Sequence, residues 1–412
     1  MVGDLLEQAY QAISSNQRRT ALTIVGMAWG VVTVVLLLAY GEGFGRAIQN
    51  IFATFGAQSI GIYSGRTTMQ VGGAKAGKRV RLEMDDIDRI RAFVPLVHHI
   101  SPEIGQDITA KANGRSFRFN MLGHYPNIAQ IRNLQIDNGR FYDDGDLMQK
   151  ARVMVIGPEA RIRLFPSGRA LNETVFANGV PFTVIGILKP RMQEGDNDIN
   201  RILYAPVSAM NLLKNSRYPD GIWLDYEGDH LKTESMVRGT LAAAHGFNRD
   251  DNGAIWIFNI MSRLKQFEIV SAGLQMLLAA IGTLTLGIGG VGLMNIMLVA
   301  VSQRTSEIGI LRTLGARKHH IYCQFMVEAM MITFLGGALG IFLAYLISFI
   351  VGKLTLYSAM ALHAEAGDIL LSISVQSLVV STGILILVGL ASGMLPAIRA
   401  ANLDPIEALR HE

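Results

Sequence analysis

The chain has 412 residues, 50% of them hydrophobic and only 17% charged, with a formal net charge of +4. Its apolar residues are gathered into four blocks long enough to span a bilayer, which excludes an ordinary soluble protein and predicts a polytopic membrane protein. The positive balance comes largely from Lys and Arg beside those blocks and needs no nucleic-acid partner, and the single cysteine, Cys323, excludes an internal disulfide or a Cys-rich metal site.

In chain order, Leu5, Ala9, Ala12 and Ile13 recur at helical spacing with Glu7, Gln8 and Gln11 between them, predicting an amphipathic interfacial helix within residues 1–19. The first span, 20–41, is uncharged throughout. It is longer than the roughly 7–15 residues of a secretory signal core and no small-x-small cleavage site follows, so it reads as an uncleaved signal anchor.

Residues 42–268 read as a water-soluble α+β domain. Strands are predicted at 60–63, 108–112, 117–121, 153–156, 174–176, 182–188, 202–204, 222–225 and 256–258, from their β-branched and aromatic content. Helices are predicted at 84–92, 158–164, 207–213 and 231–244. Asn113-Gly114, Asn138-Gly139 and Asn178-Gly179 read as turns, and the domain is expected to divide into two lobes near Asn138.

The second span, 269–303, is a run of 35 residues without a charge. As one helix it would reach about 52 Å at roughly 1.5 Å per residue, more than a bilayer core needs. A charged segment, 304–328, follows. In it Ile308, Leu311 and Leu314 recur every three residues and predict an apolar face on a short helix, with Gly315 as its stop. The third span is 329–352, a short loop occupies 353–368, the fourth span is 369–398, and 399–412 is a tail.

Arg18 and Arg19, the cations of 304–328, and Arg399 with Arg410 flank the spans on one side, which places both termini in the cytoplasm. Three spans carry small residues four apart, Gly26 and Gly30, Gly336 and Gly340, Gly389 and Gly393, a spacing that lets helix backbones approach closely. No span has an ionisable residue near its middle, which argues against ion-coupled transport.

Catalytic equipment is missing from the sequence. The stretch Gly72 to Lys78 has the look of a phosphate loop, but Arg79 stands where Ser or Thr must ligand magnesium, and a flexible basic loop is the simpler reading. Neither Asp143, Asp144 and Asp146 nor Asp196 and Asp198 follow the order of a calcium loop. The pairs His98-His99 and His319-His320 point in divergent directions and read as surface histidines. No nucleophile elbow or zinc-protease motif occurs.

The string from Arg304 to Arg317 resembles the coupling segment R-T-x-E-I-G-I-x-x-x-x-G-A of the MacB, LolC and FtsX superfamily of ABC transporter permeases, with every fixed position present. The likeness extends to Arg19 to Thr23, Gly41 to Phe44, Gly139 to Phe141, Val153 to Gly157 and Asp404 to Arg410. It implies four transmembrane α-helices in the inner membrane, a large α+β periplasmic domain between the first and second, and a dimer of identical or different permease chains. It also implies that Glu307, Ile308, Gly309, Leu311, Arg312, Leu314 and Gly315 contact an ATPase.

Macrolide exporters of that family carry the ATPase before the first span. Only about 19 residues precede that span here, so the ATPase, with its ATP and magnesium, is expected on a separate chain, with no cofactor in this one. A periplasmic adaptor and an outer-membrane channel are possible further partners of such a permease. The expected function is mechanotransmission for export. The alternative is a transmembrane sensor whose outer domain binds a ligand.

Overall fold

The computed structural model describes residues 17–70, 75–166, 168–191, 199–352 and 368–404. The chain begins with helix α1 (Gln17–Thr54) and enters an α/β region: β1 (Ser59–Ser64), α2 (Asp85–Phe93), β2 (Val97–Ala112), β3 (Arg115–His124), α3 (Ile128–Ile131) and β4 (Ile136–Gly139). It continues through α4 (Asp144–Met148), β5 (Val153–Ile156), α5 (Pro158–Leu164), β6 (Thr174–Ala177), β7 (Val180–Leu188) and β8 (Leu203–Pro206). Then come α6 (Val207–Met210), β9 (Gly221–Tyr226), α7 (His230–His245) and β10 (Ile255–Asn259). The remainder is helical: α8 (Ile260–Gln303), α9 (Thr305–Thr313), α10 (Lys318–Val351) and α11 (Val375–Ala401). The described residues form two compact units, one helical (within 17–47, 268–352 and 369–404) and one of mixed α and β structure (within 48–267).

In the α/β unit one continuous sheet carries the strands in the order β10-β1-β9-β2-β3-β8-β5-β7-β4, with β6 paired to β2 and β7. The 16-residue β2 is its spine: the first half pairs with β9 and the second with β3 and β6. The chain crosses the sheet along β2 and returns through β8 and β9, so no division falls at Asn138. The segment from Ile104 to Met210 instead forms one apolar core, while residues from Ile60 to Ile100 and Ile222 to Ile255 form another beneath α2 and α7.

Asn138 and Gly139 also lie inside strand β4, not in a turn. Gly139 (φ 84°) runs so near β7 that an added Cβ would stand 2.3 Å from the Ile185 carbonyl oxygen, so the backbone approach itself demands glycine. Asn113-Gly114 and Asn178-Gly179 do turn, each with the two positive φ angles a type I′ hairpin requires.

The acidic and basic motifs take structural roles here. Asp143 and Asp146 form a reciprocal cap on α4, with Arg140 bridged to Asp146 at 2.6 Å. His98 and His99 pair with Glu227 and Asp225 at 3.0 and 2.9 Å. The described part of the glycine-rich basic stretch folds back on Thr67, which exchanges backbone hydrogen bonds with Gly77 and Lys78. Asp196, Asp198, most of the 4–17 helix, most of the loop before the fourth span and the end of the tail lie outside the described residues.

Four helices, α1, α8, α10 and α11, are long and apolar enough to cross a membrane. Their ends differ from the charge-free blocks because charge marks the edge of hydrocarbon, not the end of a helix. Thus α8 starts at Ile260 and accommodates Arg263, Lys265 and Glu268 in its first turns. Conversely, α11 starts only at Val375, capped by the Ser374 hydroxyl accepting from Ser377 N, so the first residues of the fourth block precede the helix.

Glycines set the helix crossings within the helical unit. A Cβ on Gly30 would meet Leu286 Cα on α8 at 2.9 Å, and one on Gly340 would meet Ala28 O and Val31 Cβ on α1, each at 2.7 Å. Gly336 faces Met27 at 2.7 Å, and Gly389 and Gly393 face Thr333 and Ala329, also at 2.7 Å. Gly26 alone of the six has open space before it. Close backbone approach supplies the dispersion contact that apolar burial cannot supply in lipid.

Candidate coupling surface

A single residue, Arg304, separates the end of α8 from the start of α9. Arg304 breaks the helical run (φ −103°, ψ 17°), and Gly315 (φ 98°) closes α9 in the left-handed region. Ile308, 3% exposed, enters a cluster with Met297 and Val301 of α8, Ile321 and Phe325 of α10, and Ala400 of α11. Gly309 is buried beside it.

Ile310, Leu311 and Leu314 turn outward, 48%, 42% and 80% exposed. The predicted apolar face of Ile308, Leu311 and Leu314 is therefore divided. At 3.6 residues per turn a three-residue repeat drifts by about 60° each step, so Ile308 and Leu314 end up about 120° apart. One anchors the helix and the other two are presented.

The cations of this segment fasten α9 to its neighbours. Arg304 Nη1 lies 3.3 Å from Glu328 Oε2 of α10, with both side chains largely buried. Arg312 Nη1 donates to the carbonyl oxygens of Ala401 and Leu403, both at 3.0 Å, where α11 ends and its last carbonyls lack helical partners. Lys318, the first residue of α10, reaches Asn402 Oδ1 just past α11 at 3.1 Å.

Glu307 is exposed and makes no hydrogen bond or ion pair among the described residues. Of the seven residues expected at a partner contact, Ile308, Gly309 and Arg312 thus serve the local fold. Glu307, Leu311, Leu314 and Gly315 are on the surface. Sequence reasoning missed Glu328, which stands one residue outside the third uncharged block and gains its role only when the fold brings Arg304 to it.

The architecture defines a class: a multi-pass membrane protein of four long apolar helices, with an α+β domain between the first and second and a short surface helix between the second and third. A family model described as the MacB-like periplasmic core domain matches residues 20–236, and one described as the FtsX-like permease C-terminal matches 279–405. The chain belongs to the family of permeases with a MacB-like periplasmic core domain.

Among its relatives, the macrolide export ATP-binding/permease protein MacB of Bdellovibrio bacteriovorus is 30% identical over 413 residues, covering 99% of this chain and 61% of the relative. The probable syringafactin export ATP-binding/permease protein of Pseudomonas syringae is 31% identical over 408 residues, covering 98% of this chain and 59% of its own length. The pyoverdine export protein of Pseudomonas putida is 31% identical over 418 residues, covering 100% of this chain and 60% of the relative. The chain therefore spans about 60% of the length of these curated relatives. The crystal structure of the MacB periplasmic region from Actinobacillus actinomycetemcomitans aligns with a TM-score of 0.44 at 20% identity, covering 54% of this chain and 97% of that one.

Proposed function

We propose that this chain is the permease subunit of an ABC exporter, in which an ATPase on a separate chain, holding ATP and magnesium, docks on the exposed side of α9. In this reading α9 and both termini are cytoplasmic in the inner membrane, and a second permease chain completes the transporter. ATP-driven movement of α9 passes through α8, unbroken from Ile260 to Gln303, and changes the α/β domain on the far side. A periplasmic adaptor and an outer-membrane channel would continue the path. The relatives' names give three different cargoes and one shared role, export, and the proposal adopts the role.

The observation that carries it is the outward triplet Ile310, Leu311 and Leu314 with the free carboxylate of Glu307, on a helix whose other side is fastened by Ile308, Arg304 and Arg312. Exposed apolar side chains on an anchored helix form a ready docking face. Co-purification with the coexpressed ATPase tests it. Glu307→Arg combined with Leu311→Asp should abolish co-purification and stimulated ATP hydrolysis while leaving the permease folded. Undiminished binding by that variant would refute the docking face.

A further inference from the structure

The sheet of the α/β unit has one face under α2 and α7. The opposite face, along β10, β1, β9 and β2, has a different construction. Register sets two neighbouring rows across it. In one, Trp256 of β10 is opposite Tyr63 of β1, Tyr63 is opposite Gly221 of β9, and Gly221 is opposite Glu103 of β2. In the other, Phe258 is opposite Gly61, and Gly61 is opposite Trp223. Tyr63 therefore lies over the bare backbone of Gly221 and Trp223 over that of Gly61, with Trp256 and Phe258 beside them.

A Cβ on Gly221 would be 2.7 Å from the Tyr63 ring, and one on Gly61 would be 3.0 Å from the Trp223 ring. The result is an aromatic floor, with centroids 5.5 Å apart for Tyr63 and Trp256 and 5.8 Å for Trp256 and Phe258. Trp256 stands at the mouth, 52% exposed.

This floor lines a cavity of about 580 Å³, the size of a small-molecule site. Glu103 is buried in its wall and accepts a hydrogen bond from Trp223 Nε1 at 2.8 Å. Burial pushes the Glu103 carboxyl above the usual range, against the pull of the nearby Arg132 charge. Arg132 lies with Cζ 4.3 Å from the Trp223 ring centre and has no carboxylate within 4.0 Å among the described residues.

Asp220, also on the wall, is matched by Lys214 at 2.7 Å. With both carboxylates ionised, Glu103 and Asp107 exceed Arg132 by one negative charge, and a bound cation would favour that ionised form of Glu103. Among the described residues, the buried Asn120 Oδ1 in the wall has no donor and the buried Arg132 Nε no partner. Indole and phenol faces attract cations, indole most strongly.

We propose that this cleft binds a small organic monocation with a flat apolar body, the body stacked on Trp256 and Tyr63 and the ammonium directed to Glu103 and Asp107. The site does not depend on the docking of α9. Calorimetric titration of the full chain in nanodiscs, with empty nanodiscs as blank, tests it with three probes of one shape: tryptamine (cation), tryptophol (neutral) and indole-3-propionate (anion). Tryptamine should bind at least tenfold more tightly than tryptophol, and indole-3-propionate should not bind.

Trp256→Ala, at an exposed position, should weaken tryptamine at least tenfold. Glu103→Gln should remove its advantage over tryptophol. Asp107→Asn, on the exposed rim, should reduce that advantage and keeps the test valid if Glu103→Gln misfolds. No tryptamine binding, equal binding of cation and alcohol, preference for the anion, or indifference to Trp256→Ala would each overturn the proposal.

Discussion

The glycine pairs of the spans give opposite expectations for the same substitution. At Gly340 an added methyl would lie 2.7 Å from Ala28 O and from Val31 Cβ, and 2.9 Å from Val31 Cγ1. Ordinary contact needs roughly 1 Å more, and the first obstacle is backbone, which cannot rotate away. Gly340→Ala gains about 0.5–1 kcal/mol from helix preference. It loses about 1–3 kcal/mol through overpacking, and because the obstacle is backbone the upper part of that range applies, for a net destabilisation of up to about 2.5 kcal/mol.

At Gly26 nothing lies within 4 Å, so Gly26→Ala keeps only the gain. Heating the detergent-solubilised variants, with circular dichroism at 222 nm as the readout, should place Gly340→Ala a few degrees below the parent and Gly26→Ala at or above it. Equal losses in both would refute the claim that these crossings are set by backbone proximity. An unchanged midpoint for Gly340→Ala would do the same.

Two further expectations concern charge. Arg304→Ala and Glu328→Ala should each destabilise the chain, and the double variant should lose less than the sum by about 1 kcal/mol or more, because the surviving partner in each single variant is left largely buried without its counter-charge. Independent, additive losses would show that the 3.3 Å pair contributes no coupling. His124 is fully buried, and burial aided by the Arg132 charge pushes its imidazole down from 6.5 to about 3. The unfolded chain therefore takes up this proton first, so stability is complete above about pH 6.5 and falls by about 1.4 kcal/mol per pH unit below it, toward pH 3. Denaturant unfolding of the parent and His124→Phe between pH 7.5 and 5.5 should show this slope in the parent alone.

The sequence reveals what depends on local composition and hides what depends on pairing. The strand at 153–156 and the hairpin at Asn178-Gly179 were legible because a β-branched run and an I′ dipeptide carry their own signal. The first half of β2 was not, because His98, His99 and Pro102 carry no β-branched or alternating signal. Pro102 is opposite Ile222 near a shift of register, where a missing N–H is tolerated. At the coupling surface the position of α9 and its glycine stop were readable, whereas the division of its apolar residues depended on what α8, α10 and α11 could cover. The aromatic floor was invisible for the same reason: Tyr63, Trp223 and Trp256 come from three strands, and only register brings them together, Tyr63 and Trp223 over glycines.

The cationic residues of the coupling segment are the part of the motif most easily misread. Charges in a segment expected to meet another protein suggest contact residues, yet Arg304, Arg312 and Lys318 all point back into their own chain, two of them to the end of α11 and one to α10. Two anchors, Arg304 to Glu328 of α10 and Arg312 to the end of α11, hold α9 in one orientation, and Lys318 at the start of α10 ties that helix to the same end, so displacing α9 must also displace α10 and α11. A helix tethered only by its link to α8 would swing at Arg304 and dissipate the movement. In the proposed mechanism the anchors would serve transmission, and the outward Leu311 and Leu314 docking. A variant that loses an anchor should still bind its ATPase while failing to convert hydrolysis into work.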